Sequence, residues 1–403
     1  MEKIEEKGYI FDRLDRPDGI VDSARVLSRV GGGVGEGFGD GVIFHSRKRM
    51  YGESRALARW LCKRTGREFP SVLFVGGGAC ETAITLIACA MLGGRLTLAE
   101  EMPDGIPESD LVIAPCPTDR IEAERFVALD ELAAAVMGES LSADGVEEIP
   151  RGEVTLRFIT PDGRAEEYSE REAILIARAY ARAEGLMPWD TVLSTLAPTS
   201  REGFFGGVLA PMLSAREWVY ARRTEGFSEQ MRLTRPTRLL CGEVMMGELY
   251  EGMKELYVAP SAWQKGKGSH PLRRRLDRLF PRTRAAWRRL RLELVHYPYG
   301  GRLSGVTVLG RTEEKQSEFL AEMGVLTSSV ISSEGCALAG YRRWSDERGF
   351  WRLPRYLCAD MREVGPRGYG RLTFFVGGEE DQSIPSDLVG FPTRRGRFFV
   401  CEG

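Results

Sequence analysis

No Cys-x-x-Cys pair occurs anywhere in the 403-residue chain. Its eight cysteines (Cys62, Cys80, Cys89, Cys116, Cys241, Cys336, Cys358 and Cys401) are too sparse for a disulfide scaffold. Only three histidines are present, His45, His270 and His296, and none falls in an H-E-x-x-H or His/Cys spacing. A structural zinc site and a zinc hydrolase are therefore excluded, and each cysteine is read as a small buried apolar residue. No run of 18 apolar residues exists, so no membrane span is expected. The opening MEKIEEKGYIFDR is charged throughout and has no apolar centre, so it does not read as a signal peptide. A net charge of −2 argues against a protein built to neutralise phosphate backbones. With 43% apolar and 28% charged residues the chain is an ordinary globular one, and it is expected to be cytoplasmic.

What is present has α/β rhythm. SVLFV (71–75) is a short apolar run, GGG (76–78) breaks it, and ETAITLIACAML (81–92) continues as an almost wholly apolar helix. RLTLA (95–99) and DLVIAP (110–115) are further buried strands, the pattern of a parallel sheet. Ahead of them, Glu53 to Lys63 puts Leu57, Trp60 and Leu61 on one helical face. A second unit follows: strand 154–159, a Pro-Asp-Gly turn, and a helix opened by a capping box of Ser169 and Glu172. Gly185 and Pro188 close that helix, and TVLSTLAP (191–198) is the next strand. The 71–101 and 154–198 units are expected in different sheets. After about 335, short pieces such as RLTFFV (371–376) and RFFV (397–400) predict a small β-rich lobe. The expected fold is thus α/β, with two mainly parallel lobes, 1–150 and 151–334, and a β-rich lobe, 335–403.

Three segments carry candidate chemistry. Seven glycines between Gly31 and Gly41 give no G-x-G-x-x-G register and read as a loop. The 71–101 unit joins a strand, a glycine turn, a helix and an acid, Glu100 or Glu101, which would suit a nucleotide or S-adenosylmethionine. Glu81 stands where a third glycine should be, and the plainer reading is a tight turn between two buried elements. From Lys265 to Arg291 eleven Lys or Arg face one acid, Asp277. With Leu276, Leu279, Phe280, Trp287 and Leu290 this segment reads either as a solvated amphipathic helix pair or as a contact for an anionic membrane surface. Nucleic acid is not expected.

The order of motifs resembles the large first domain of the AMP-forming (adenylate-forming) synthetases, nearest to the fatty acyl-CoA synthetases. MYGESRALARWL is similar to the family's early helix, and VTLRFITPDGR stands where its phosphate loop would be. DTVLSTLAPTSREGFFGGVLAPML, PTRLLCGEVMMGELYEGM, GGRLSGVTVLGRTEEKQSEFLAEMGVLTSSVISSEG and SDLVGFPTRRGRFFVCEG follow in family order. The resemblance implies ATP or AMP, Mg²⁺ and a small carboxylic acid or acyl group as ligands. It puts Glu334 on the catalytic, magnesium-binding Glu and Ser333 on the residue before it. Gly310 falls in the adenine-side motif, Asp387 on the ribose-binding Asp, and Thr160 and Gly163 on what is left of the phosphate loop. It also implies departures. Glu166 or Glu167 replaces the loop lysine, Val330 replaces the aromatic before the magnesium Glu, and Arg201 takes the place of the frequent His. The chain stops at Gly403, before the hinge and the mobile C-terminal domain that carries the family's adenylation lysine.

Three functional readings follow. The first is a degenerate ligase-like protein that binds an acyl or adenylate ligand with little or no turnover. The second is an active acid–thiol ligase that works with a separate C-terminal domain. The third is a methyltransferase-like enzyme using the 71–101 unit.

Overall fold

The structure, a computed structural model, describes residues 25–29, 42–129, 131–132, 134, 153–160, 162–221, 227–257, 293–346, 350–364, 368–376, 383–393 and 396–400. The glycine-rich stretch 31–41 and the basic segment 265–291 lie outside the described residues. The chain forms two compact units. One comprises 1–181, 187–189 and 196–222, and the other 182–186, 190–195 and 223–403.

In chain order the first unit opens with β1 (Arg25–Arg29), β2 (Val42–Ser46), α1 (Arg47–Thr65) and β3 (Ser71–Val75). There follow α2 (Ala79–Leu92), β4 (Arg95–Ala99), β5 (Leu111–Ala114), β6 (Phe126–Ala128), β7 (Thr155–Ile159), β8 (Ala165–Ser169) and α3 (Glu170–Glu184). Its main sheet has the order β6-β5-β3-β4-β7-β8. All neighbours run parallel except β7 and β8, which form an antiparallel hairpin. The apolar runs expected as strands at 71–75 and 95–99 are β3 and β4, residue for residue. Helix α2 is buried almost all round, which explains its nearly unbroken apolar sequence.

The sequence expectation separates 71–101 from 154–198, but the structure divides the second stretch instead. β7 pairs in parallel with β4, Arg95 opposite Thr155, and so completes the first sheet. An apolar β4 left as an edge would expose unpaired backbone, and β7 with its hairpin partner covers it. Of the strands in that second stretch only β9 (Thr191–Ser194) goes to the second unit, together with the last residues of α3.

A rare π-helix, Gly203–Leu209, leads into α4 (Ala210–Ser214) and β10 (Glu217–Tyr220). Its Phe204 and Phe205 pack edge-on or tilted against Phe158 of β7, with centroids 5.3 Å apart, and Phe205 packs on Tyr168 of β8. Gly203 is obligatory there, because a Cβ would overlap the Ala197 carbonyl. In the same unit β10 pairs with β1 in parallel, and β1 with β2 antiparallel.

The second unit continues with α5 (Phe227–Thr234), β11 (Arg238–Gly242), α6 (Glu243–Leu256), α7 (Glu293–His296), β12 (Gly305–Leu309), α8 (Glu314–Met323) and β13 (Leu326–Ser333). Strands β9, β11, β12 and β13 are neighbours and parallel. Beyond them the sheet turns antiparallel through β14 (Cys336–Arg343), β15 (Phe350–Arg352), β16 (Leu357–Arg362), β17 (Gly370–Val376), β18 (Ser383–Thr393) and β19 (Arg397–Val400). The strand order there is β14-β15-β19-β18-β17-β16. One face of these strands buries Trp351, Leu372, Phe374 and Phe398 in a common core. The residues after 335 are therefore strands, as their alternation implies.

Candidate active site

In open α/β sheets, ligands sit outside the carboxyl ends of the parallel strands. In the first unit the carboxyl end of β7 runs directly into the turn that holds Thr160 and Gly163. The turn closes on itself. Thr160 N–H donates to the Arg164 carbonyl at 2.9 Å, and Gly163 N–H to the Thr160 carbonyl at 2.8 Å. The Thr160 hydroxyl is within hydrogen-bond reach of the Asp162 carboxylate and the Arg164 carbonyl, and Arg164 Nε donates to Asp162. Hydrogen bonds from Thr160 and then Arg164 hold the Asp162 carboxyl below its ordinary range. Two backbone donors of the kind a phosphate cradle would present, Thr160 N–H and Gly163 N–H, are thus spent within the turn, and an acid sits at its centre.

The next acids are committed too. Arg201 Nη1 donates to Glu166 at 2.5 Å and Nη2 to Glu202 at 2.6 Å, with all three side chains largely buried. Tyr168 hydroxyl also donates to Glu166, at 2.8 Å. Burial disfavours the Arg201 charge, but Glu202, Tyr168 and Glu166 more than offset it, and the guanidinium stays ionised. Glu167 pairs with Arg157 at 3.6 Å. After β4, the Glu100 carboxyl is raised by partial burial and then by Glu202 and Glu101. A buried cation held by two carboxylates is thus built where the resemblance places only a lost lysine and a replaced histidine. Arg201, Glu166 and Tyr168 were each visible in the sequence. Their convergence was not, because it depends on the β7–β8 hairpin folding back toward the π-helix.

The remaining predicted residues fall in the second unit. Gly310 follows β12 with φ +105°, and its N–H donates to the Val330 carbonyl at 2.8 Å. It therefore meets β13 three residues before Ser333. Ser333 ends β13 and is buried, while Glu334 is exposed in the two-residue turn to β14. A Cβ on Gly335 would lie 2.9 Å from Ile384, so this turn abuts β18. Asp387 is on the same strand, three residues further on, exposed where the β17–β18 register shifts. The structure thus assembles Gly310, Ser333 and Glu334 along adjoining strand ends, with Asp387 on a strand the turn touches. Thr160 and Gly163 belong to the other unit.

One residue of this edge was missed. Glu243, at the start of α6, accepts Arg311 N–H at 2.6 Å and fills the space beside Gly310 where a Cβ would stand. Buried hydroxyls pair behind it, Thr312 with Ser329 at 2.7 Å and Thr307 with Ser328 at 2.9 Å. The signal available was position: Glu243 directly follows Gly242 at the carboxyl end of a strand. Among the described residues no cluster of three His, Cys, Asp or Glu could hold a metal ion.

No family model matches the sequence, and the search of curated proteins gave no match. Solved structures do match in fold. VinN, in complex with L-aspartate, superposes with a TM-score of 0.67 at 14% identity, over 98% of both chains. A long-chain-fatty-acid-CoA ligase, FadD1 from Archaeoglobus fulgidus, gives 0.69 at 11% identity over 98% of this chain and 84% of its own. The N-terminal domain of FACL13 from Mycobacterium tuberculosis gives 0.67 at 10% identity, over 98% and 99%. The fold is that of the large domain of adenylate-forming enzymes. It gives no support to a methyltransferase, since the sheet around the 76–78 turn has six strands ending at β6 and β8 and does not run on into β9.

Proposed function

We propose that the chain binds a small carboxylic acid, an acyl group or its adenylate in the manner of the adenylate-forming ligases, with little or no turnover. The observation that carries this reading is the turn at 160–164, together with Glu166 on Arg201. Where an ATP-dependent ligase needs an open, cation-bearing loop, this chain has a closed hairpin whose Thr160 hydroxyl and Arg164 side chain serve Asp162, with Arg201 on Glu166. Triphosphate does not fit such a loop: each acid within several ångströms would repel it by roughly 1–4 kcal/mol. AMP or an acyl-adenylate, which lacks the β- and γ-phosphates, escapes most of that repulsion. L-aspartate bound to VinN, and AMP with a carboxylic acid in the A domain of a carboxylic acid reductase from Segniliparus rugosus, support a small-acid ligand.

In this reading Gly310 lies beside the adenine, Asp387 takes the ribose hydroxyls, and Ser333 and Glu334 face the phosphate. Glu334 is the one residue left to hold Mg²⁺, and Thr160 and Gly163 are relics of the phosphate loop. The competing proposal is an active acid–thiol ligase completed by a separate C-terminal domain protein. Independently of which of these holds, contact of segment 265–291 with an anionic membrane surface and a cytoplasmic location are further parts of the proposal. No described helix is long and apolar enough to cross a membrane.

Calorimetric titration with Mg-ATP, a non-hydrolysable acyl-adenylate mimic and S-adenosylmethionine separates the readings. The mimic should bind at least tenfold more tightly than Mg-ATP. Tight, magnesium-dependent ATP binding by the unaltered chain would favour the active ligase, and preference for S-adenosylmethionine would remove both ligase readings.

A further inference from the structure

Glu184, the last residue of α3, is 4% exposed, and neither carboxyl oxygen has a hydrogen-bond partner among the described residues. Everything around it is well bonded. Arg238 of β11 donates through Nε to Asp190 at 3.2 Å and through Nη2 to the Gly185 carbonyl at 3.1 Å. Thr237 hydroxyl donates to Asp190 at 2.7 Å, Thr191 N–H donates to that hydroxyl at 3.0 Å, and Thr237 N–H donates to the Thr191 carbonyl at 2.9 Å. Arg343 of β14 reaches the Arg182 carbonyl. The chain from 182 to 195 that belongs to the second unit is thus stitched to β11 and β14 through two arginines.

Charge is balanced at this corner without Glu184. Asp190 is buried and Arg238 partly so, and the two already form a pair. A second carboxylate would be an unpaired charge out of water, which is costly, whereas a neutral carboxyl lacks only hydrogen bonds. We propose that Glu184 is a proton-held latch: neutral, it lets residues 182–186 and 190–195 close against β11, and its ionisation loosens those residues. Burial drives its titration well above the ordinary carboxyl range, with Arg238 opposing and Asp190 reinforcing the shift. The other charged groups at this corner are Arg343, spent on the Arg182 carbonyl, and Arg182, which is exposed.

The sign follows from linkage. An acid whose folded titration point is raised costs nothing at low pH. It destabilises the fold progressively as pH climbs from the ordinary carboxyl range to the raised value, by at most tenfold in the folding equilibrium per pH unit. E184Q mimics the neutral form. In the full chain, amide hydrogen exchange at pH 5.5 and 8.5 should show the variant and the wild type within twofold of each other at the lower pH. At pH 8.5, the 190–194 and Thr237 amides of the wild type should exchange at least tenfold faster than those of E184Q, with β12 amides such as Val308 unchanged. Equal exchange at both pH values, or acceleration spread evenly through β12, would overturn the latch. If E184Q does not fold, the wild type alone suffices. The ratio of Thr191 to Val308 exchange must rise between the two pH values after the base-catalysed increase is removed, and a flat ratio overturns the proposal.

Discussion

Arg201 and Gly310 show how single residues define the two strand-end regions. Arg201 is nearly buried between Glu166 and Glu202, so truncating one acid leaves charge without its partner. Breaking a buried pair costs roughly 3–5 kcal/mol. With Glu202 still in place, E166A should lose about 3 kcal/mol in denaturant unfolding, at the low end, and E166Q less. At Gly310 an alanine meets both a positive φ, costing about 1–3 kcal/mol, and the Glu243 carboxylate. G310A should therefore be destabilised, and E243A/G310A should recover part of the loss, a coupling that a double-mutant cycle measures. The cysteines depart from the expectation that all eight are buried. Cys80, Cys89, Cys241 and Cys336 are buried, Cys62 is half-buried, Cys116 and Cys358 are exposed, and Cys401 lies outside the described residues. Burial pushes the Cys89 and Cys241 thiols up to about 12. At pH 8 a thiol reagent should label Cys116 and Cys358 within minutes and spare Cys89 and Cys241 until denaturant is added.

At the scale of elements, α3 is the clearest case of a sequence signal realised. Ser169 and Glu172 exchange hydrogen bonds: Ser169 N–H donates to the carboxylate at 2.8 Å, and Glu172 N–H donates to the Ser169 hydroxyl at 3.3 Å. S169A should cost about 1 kcal/mol, seen as a lower denaturant midpoint with an unchanged slope. The Pro-Asp-Gly turn was equally readable, and the β7–β8 register shows that it closes a hairpin. Less readable was the π-helix. Its residues fit any helix, and the contacts of Phe204 and Phe205 on Phe158 that accompany the wider turn join positions about forty-five residues apart. The β13–β14 hairpin was also missed, although Ser332, Ser333, Glu334 and Gly335 form a polar break in VISSEGCALAG; Gly335 takes the positive φ of +67° in its turn.

For the molecule as a whole the decisive prediction is turnover. Displacing pyrophosphate requires donors aimed at charge that develops on the α-phosphate, and removing one such donor typically costs about 2.7–4 kcal/mol. The 160–167 region supplies acids where the resemblance calls for a lysine. The isolated chain should show no carboxylate-dependent pyrophosphate exchange with a panel of fatty and aromatic acids. Exchange at ordinary ligase rates, abolished by E334A, would reverse the proposed function.

The sequence by itself determined the α/β class, the first sheet's central strands, the buried α2 and the β-rich end of the chain. Those follow from hydrophobic period and local turn chemistry, which act over a few residues and need no partner. It also determined that acids occupy the loop after β7. Only the tertiary structure decided that β7 belongs with β4, that Glu166 is spent on Arg201, that Glu243 supports the Gly310 turn, and that Glu184 is buried with no hydrogen-bond partner among the described residues. The first three of these join residues tens of positions apart. A strand of alternating residues can pair with many edges, and a carboxylate can meet many arginines. The choice is made by which edge would otherwise stay open and which charge would otherwise stay unpaired in the interior.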